Sequence, residues 1–312
     1  MPEAVHAAVF WAAMVLFAAH LGLALAAAGI PCVTSLAGLR KVKHLKIFID
    51  KFGQQAATFA LLGGLWTFLV LVASLAAVRF LLPDTAAHLL GIPLPLCAVL
   101  GPVLLGGLAF LSYRGMWQRL KTRKGLHAVV GLSATLLLWA ALYGGLAAMR
   151  TQILRLPPAG ADPAFLLPPG DSLFWRLLAE GLALSLGLAG TFTASWLVWR
   201  RDKDDFGRDY YNFTMRLSAR LGFAGHAAAV AAMGWLVMGL LPLAGELTGR
   251  LSVALGLYGT GTLLTLACLG VVMIQENVLR HKAFLATAFL AAVVALAGLC
   301  AGLAGLLAPA PF

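Results

Sequence analysis

Ionisable side chains fall well inside several long apolar runs of this chain: His20, His127, His226, Arg176 and Glu180, with His6 near the edge of the first run. An ionisable group surrounded by lipid is expensive, so each is a functional candidate by default. His127 and His226 stand just inside the basic ends of their runs, at matching depth if both runs cross a membrane in the same direction. Two imidazoles at one depth on neighbouring helices could hold one b-type haem through their ring nitrogens. His20, about halfway along the first run, could ligate a second haem or replace one member of the pair. The alternative for each histidine is an interhelical hydrogen bond or a headgroup contact.

Arg176 and Glu180 are four residues apart, on one face of a helix. Read structurally, they form a salt bridge that lowers the cost of both charges. Read catalytically, Glu180 is a proton acceptor for quinol or for a transported substrate, with Arg176 beside it. His44, His88 and His281 lie between the runs and read as solvated residues.

Several chemistries lack their residues. The four cysteines, Cys32, Cys97, Cys268 and Cys300, form no C-x-x-C or C-x-x-C-H pattern. That argues against covalent c-type haem, a zinc ribbon and an iron–sulfur cluster. No P-loop, G-x-S-x-G, H-E-x-x-H or G-x-G-x-x-G pattern occurs in usable context. Polar residues in the apolar runs are few, whereas a permease for hydrophilic solutes needs a polar path near the midplane.

The elements that must position these residues are set by composition. Of 312 residues, 61% are hydrophobic and 11% are charged, and mean hydropathy is +0.91. Soluble domains carry about 25% charged residues, so the solvent here is mostly lipid. A span needs about 20 apolar residues. Eight such runs are legible, over 5–29, 54–81, 90–112, 127–149, 173–199, 221–243, 250–275 and 283–307. The expected fold is all-α: a polytopic membrane helical bundle forming one transmembrane domain over 1–312. The apolar start is too long for a signal-peptide core and lacks a basic leader, so it reads as a true span.

Net charge is +11, yet the basic residues sit in short clusters between spans, which discounts nucleic acid as a partner. The first loop carries Arg40, Lys41, Lys43, Lys46 and Lys51; the third carries Arg114, Arg119, Lys121, Arg123 and Lys124. The fifth carries Arg200, Arg201, Lys203, Arg208, Arg216 and Arg220, and the seventh Arg280 and Lys282. Thus 18 of 23 basic residues occupy odd-numbered loops. By the positive-inside rule those loops face the cytoplasm, and both termini lie outside. The expected location is the cytoplasmic membrane, as a multi-pass protein.

Other signals concern packing. Gly298 and Gly302 form G-x-x-x-G, and small residues recur as Gly63-Gly64, as Gly181, Gly187 and Gly190, and as Gly256, Gly259 and Gly261. Pro102 predicts a kink or a freed carbonyl in the third span. The long outer loop 150–172 contains Pro157-Pro158 and Pro168-Pro169 and ends in Asp171-Ser172, a helix N-cap signal. Tyr113, Trp117, Trp175, Trp196 and Trp199 read as aromatic-belt anchors at span ends. The fifth loop, Arg200 to Arg220, with Tyr210-Tyr211, reads as an interfacial segment or partner-docking surface. His6, His127 and His226 each open an alanine-rich tetrad, a similarity too slight to establish a repeat.

The first 75 residues resemble the start of subunit I of cytochrome bd quinol oxidases. The likeness is carried by His20, the basic loop to His44, Lys51-Phe52-Gly53-Gln54-Gln55 and Phe59-Ala60-Leu61-Leu62-Gly63-Gly64. Phe223-Ala224-Gly225-His226-Ala227 is similar to the segment around that family's low-spin haem histidine. The resemblance implies that His20 and His226 are haem-ligand positions. The expected function is therefore a membrane subunit of a respiratory electron-transfer complex. It would bind one or two b-type haems, exchange electrons with the quinone/quinol pool, and meet its lipid bilayer and partner redox subunits or a haem protein. A transporter of a small or lipophilic substrate, and a haem-free scaffold subunit, are the alternatives.

Overall fold

In lipid a backbone N–H or C=O finds no water, so a chain this apolar must satisfy its peptide groups within helices. A computed structural model of the protein describes residues 3–39, 45–81, 93–120, 122–153, 167–240 and 249–307. His44, His88, Pro157-Pro158, Arg40, Lys41, Lys43, Lys121 and Arg155 lie outside these residues.

Among the described residues there are eight α-helices: α1 Glu3–Gly38, α2 Lys46–Leu81, α3 Pro93–Gly115, α4 Lys124–Ile153, α5 Leu173–Arg200, α6 Arg208–Leu240, α7 Gly249–Ile274 and α8 Lys282–Leu307. All eight are long and apolar enough to cross a membrane, and no strand occurs among the described residues. The protein is a multi-pass helical membrane protein. Leu16 and Leu108 are among the large apolar side chains that face outward, the surface expected where lipid is the solvent. Buried and part-buried threonines return their hydroxyls to their own helix: Thr58 to the Gln54 carbonyl and Thr265 to that of Gly261, both at 2.8 Å.

Helix ends depart from the hydropathy reading at three places. α1 continues through Pro31 to Gly38, and α2 begins at Lys46 rather than at 54. The fifth loop shrinks too, because α6 begins at Arg208. Tyr210, Tyr211, Thr214, Met215 and Ser218 form the buried face of that extension, while Arg208, Asp209 and Arg220 stay exposed. Residues 208–220 are therefore a packed amphipathic helix and not a loop; their arginines hide the helix from a hydropathy window. Gly207, at φ +84°, makes the turn into α6.

Packing divides the chain into two compact units, one of residues 1–26 with 183–312 and one of residues 27–182. In the first unit, α5 and α6 run antiparallel at close approach. A Cβ on Gly190 would meet the backbone of Gly222, and one on Gly225 the backbone of Gly187. The expected Gly298 and Gly302 face likewise packs on α7: a Cβ on Gly298 would lie 2.6 Å from the Ala254 carbonyl oxygen. Gly256 and Gly259, read with them, face open space.

In the second unit α3 and α4 run antiparallel. Pro102 has no N–H to give to the Ala98 carbonyl four residues before it. Gly144 of α4 fills that position, its backbone lying so near the Ala98 oxygen that a Cβ would collide with it. The freed carbonyl predicted from Pro102 is thus a helix–helix contact.

Candidate functional site

The two central histidines belong to different units, and each is bonded within its own. His127 opens α4 beside the turns that join it to α3. Its Nε2–H donates to the Tyr113 carbonyl at 3.1 Å; a carbonyl can only accept, so Nδ1 is the nitrogen left with a lone pair. The imidazole lies flat on the Tyr113 ring, with centroids 4.2 Å apart and planes 12° apart. Trp117 meets it edge-on at 4.5 Å. Tyr113 is fully buried, and its hydroxyl bonds Thr34 Oγ1 at 2.8 Å. Tyr113 and Trp117 are hence interior residues and not belt anchors; the turns at 116–120 fold them back over His127. Trp199 is 54% exposed, as a belt residue should be.

Beside this cluster lies a cavity of about 30 Å³, lined by Thr34, Ser35, Asp50, Trp117, Lys124 and His127. Lys124 and Asp50 pair across its edge at 3.0 Å. A cavity of this size suits one or two waters and is too small for a quinone ring. Asp50, Lys124 and Thr34 had no signal in the sequence beyond their types. The i,i+4 aromatic pair Tyr113 and Trp117, a short turn ahead of His127, was the sign available.

His226 is 2% exposed and packs over Gly187, where a Cβ would lie 3.0 Å from the imidazole. The Thr191 hydroxyl donates its one hydrogen to the Gly187 carbonyl at 3.0 Å. It therefore accepts from His226 Nε2–H, 3.1 Å away. His226 Nδ1 is buried and makes no hydrogen bond. Axial ligation through Nε2 of either His127 or His226 would require its present hydrogen bond to break. At His226 it would also require α5 and α6 to part.

His20 differs. It is half-buried on α1, its Nδ1 faces the interior without a partner, and neither ring nitrogen is hydrogen-bonded among the described residues. Its imidazole alone among the three is uncommitted. His6 is exposed.

Glu180 shares the buried face of α5 with Phe174, Leu177 and Leu184. It is 1% exposed, and neither carboxylate oxygen has a hydrogen-bond partner. The i,i+4 bond with Arg176 is not formed. Arg176 sits half-buried in the first turn of α5, from which a long cationic side chain can reach the membrane edge. Ser172 caps that turn, as its sequence predicts, its Oγ accepting from the Phe174 N–H at 3.3 Å.

No group of three or more His, Cys, Asp or Glu side chains suited to a metal ion occurs among the described residues. The cysteines are free thiols. Comparison with protein-family models and with curated proteins gives no match.

Proposed function

We propose that the chain is a membrane subunit of a respiratory electron-transfer complex in the cytoplasmic membrane, exchanging electrons and protons with the quinone pool. The observation that carries this reading is a pair of uncompensated titratable side chains inside spanning helices. His20 and Glu180, each in its own unit, make no hydrogen bond. A bundle that needed only to pack would replace both with apolar residues, since a buried polar group without a partner is destabilising. The resemblance of the first 75 residues to cytochrome bd subunit I supports the same reading.

In this scheme His20 holds a b-type haem, which supplies one-electron chemistry when bound. Glu180 exchanges a proton with quinol, and Arg176 is its basic neighbour along α5. His127 and His226 keep helices in register through their hydrogen bonds. Partner subunits supply the remaining redox centres in this scheme.

A second reading, a haem-free scaffold subunit, is favoured by the committed Nε2 atoms of His127 and His226. The visible spectrum of the purified protein separates the two. A reduced-minus-oxidised b-type α-band, lost in His20→Ala, is the expected result; a colourless preparation made with haem supplied would retire the first reading. A transporter with broken helices has less support, since none of the eight described helices is interrupted near its middle.

A further inference from the structure

The connection between α7 and α8, residues 275–281, is held by one face of α6. Arg208, Asn212 and Arg216 recur every four residues and so line up along the helix. Arg216 Nη2 donates to the Glu276 carbonyl at 3.0 Å, and Asn212 Oδ1 accepts from the Leu279 N–H at 3.4 Å. Asn277 stands at the N-cap of the short 3₁₀ turn Val278–His281, yet its side chain makes no capping bond. Turned so that its oxygen faces donors and its nitrogen acceptors, the only orientation that satisfies both, the Asn277 amide accepts from the Arg208 guanidinium and from Arg280 Nε, the latter at 3.2 Å.

Two guanidinium groups therefore converge on one neutral oxygen, with a third, Arg216, one residue along the same connection. None of the three makes an ion pair among the described residues, unlike Lys124 with Asp50 and Arg200 with Asp204. The adjacent acids, Asp209 and Glu276, are exposed and likewise form no ion pair there. Arg216 Nε is buried without a partner. Like charges gathered this closely call for an anion, and planar guanidinium forks match phosphate oxygens. The surroundings identify its carrier. Ile274, 70% exposed, ends α7 beside the cluster, and Phe284, 39% exposed, begins α8. Cationic forks flanked by outward apolar side chains, at the ends of spanning helices, match a headgroup phosphate with its acyl chains.

We propose that Arg208, Arg216 and Arg280 form a binding site for the headgroup of an anionic phospholipid. The test uses the full chain in mixed micelles, with phosphatidylglycerol or phosphatidylcholine titrated in and retained lipid counted by native mass spectrometry. Phosphatidylglycerol should be retained preferentially, and the double variant Arg208→Gln/Arg280→Gln should weaken it about tenfold. Lys203→Gln, whose ammonium lies over the Trp199 ring, should leave retention unchanged. Asn277→Asp places a carboxylate between the two guanidiniums and tests the site without removing either. It should displace the lipid while helicity and thermal midpoint hold. Equal retention of both lipids, or wild-type retention in Asn277→Asp, would overturn the proposal. Displacement of phosphatidylglycerol by millimolar inorganic phosphate at constant ionic strength would reassign the site to a soluble phosphate and overturn the lipid assignment.

Discussion

Tyr113 holds His127 twice: its carbonyl takes the imidazole Nε2–H at 3.1 Å, and its ring lies parallel to the imidazole at 4.2 Å. One residue at the end of α3 thereby fixes the tautomer and the orientation of the residue that opens α4. The Tyr113 hydroxyl extends the link to Thr34 of α1.

That link should be measurable. A cycle of Tyr113→Phe and Thr34→Val should give a coupling of about 0.6 kcal/mol, the usual size of a hydrogen bond between membrane helices. Reversible unfolding in mixed micelles is the measurement. A coupling indistinguishable from zero would mean that the two hydroxyls are satisfied separately.

The α5–α6 crossing makes a steeper demand. Gly190→Val should destabilise the protein by about 1–3 kcal/mol, since the added carbons must push the Gly222 backbone away. Gly259→Ala, directed to open space, should change the unfolding midpoint little. If the two substitutions have equal effects, the close approach is not what stabilises this pair.

Glu180→Gln should separate stability from function. Its unpaired buried carboxylate contributes no bond that the amide would lose, so the thermal midpoint should hold or rise. Quinol turnover by the assembled complex should fall, while the haem band of the purified chain persists. A variant with lower stability and unchanged turnover would show that Glu180 has a bonded structural role instead.

Sidedness can be tested by single cysteines in a cysteine-free background. Asp205→Cys, in the turn before α6, should resist an impermeant maleimide added to intact cells. Asp171→Cys, before α5, should react. The reverse pattern would invert the topology deduced from the basic loops.

These residues show how far sequence reading carried. The eight spans were legible because hydropathy over about 20 residues is a property of composition, independent of which helices are neighbours. The cap at Ser172 and the carbonyl freed by Pro102 were legible for a similar reason, being local backbone chemistry. The start of α6 was not, because three arginines between 208 and 220 lower the hydropathy of a segment whose tyrosines are buried. The Tyr113–His127 contact and the unpaired state of Glu180 were illegible too. Both depend on which side chains face one another across helices, and spacing along one chain does not record that.

Helix length carries one more consequence. α1 and α2 have 36 residues each and α6 has 33. At 1.5 Å per residue these rods are about 50 Å long, against roughly 30 Å of hydrocarbon. They must lean, or stand proud of the acyl layer, so bilayer thickness acts on them directly. Lipids with longer tails would draw the rods upright, and shorter ones would splay them. The Arg208 turn, near the start of one such rod, would shift with the change.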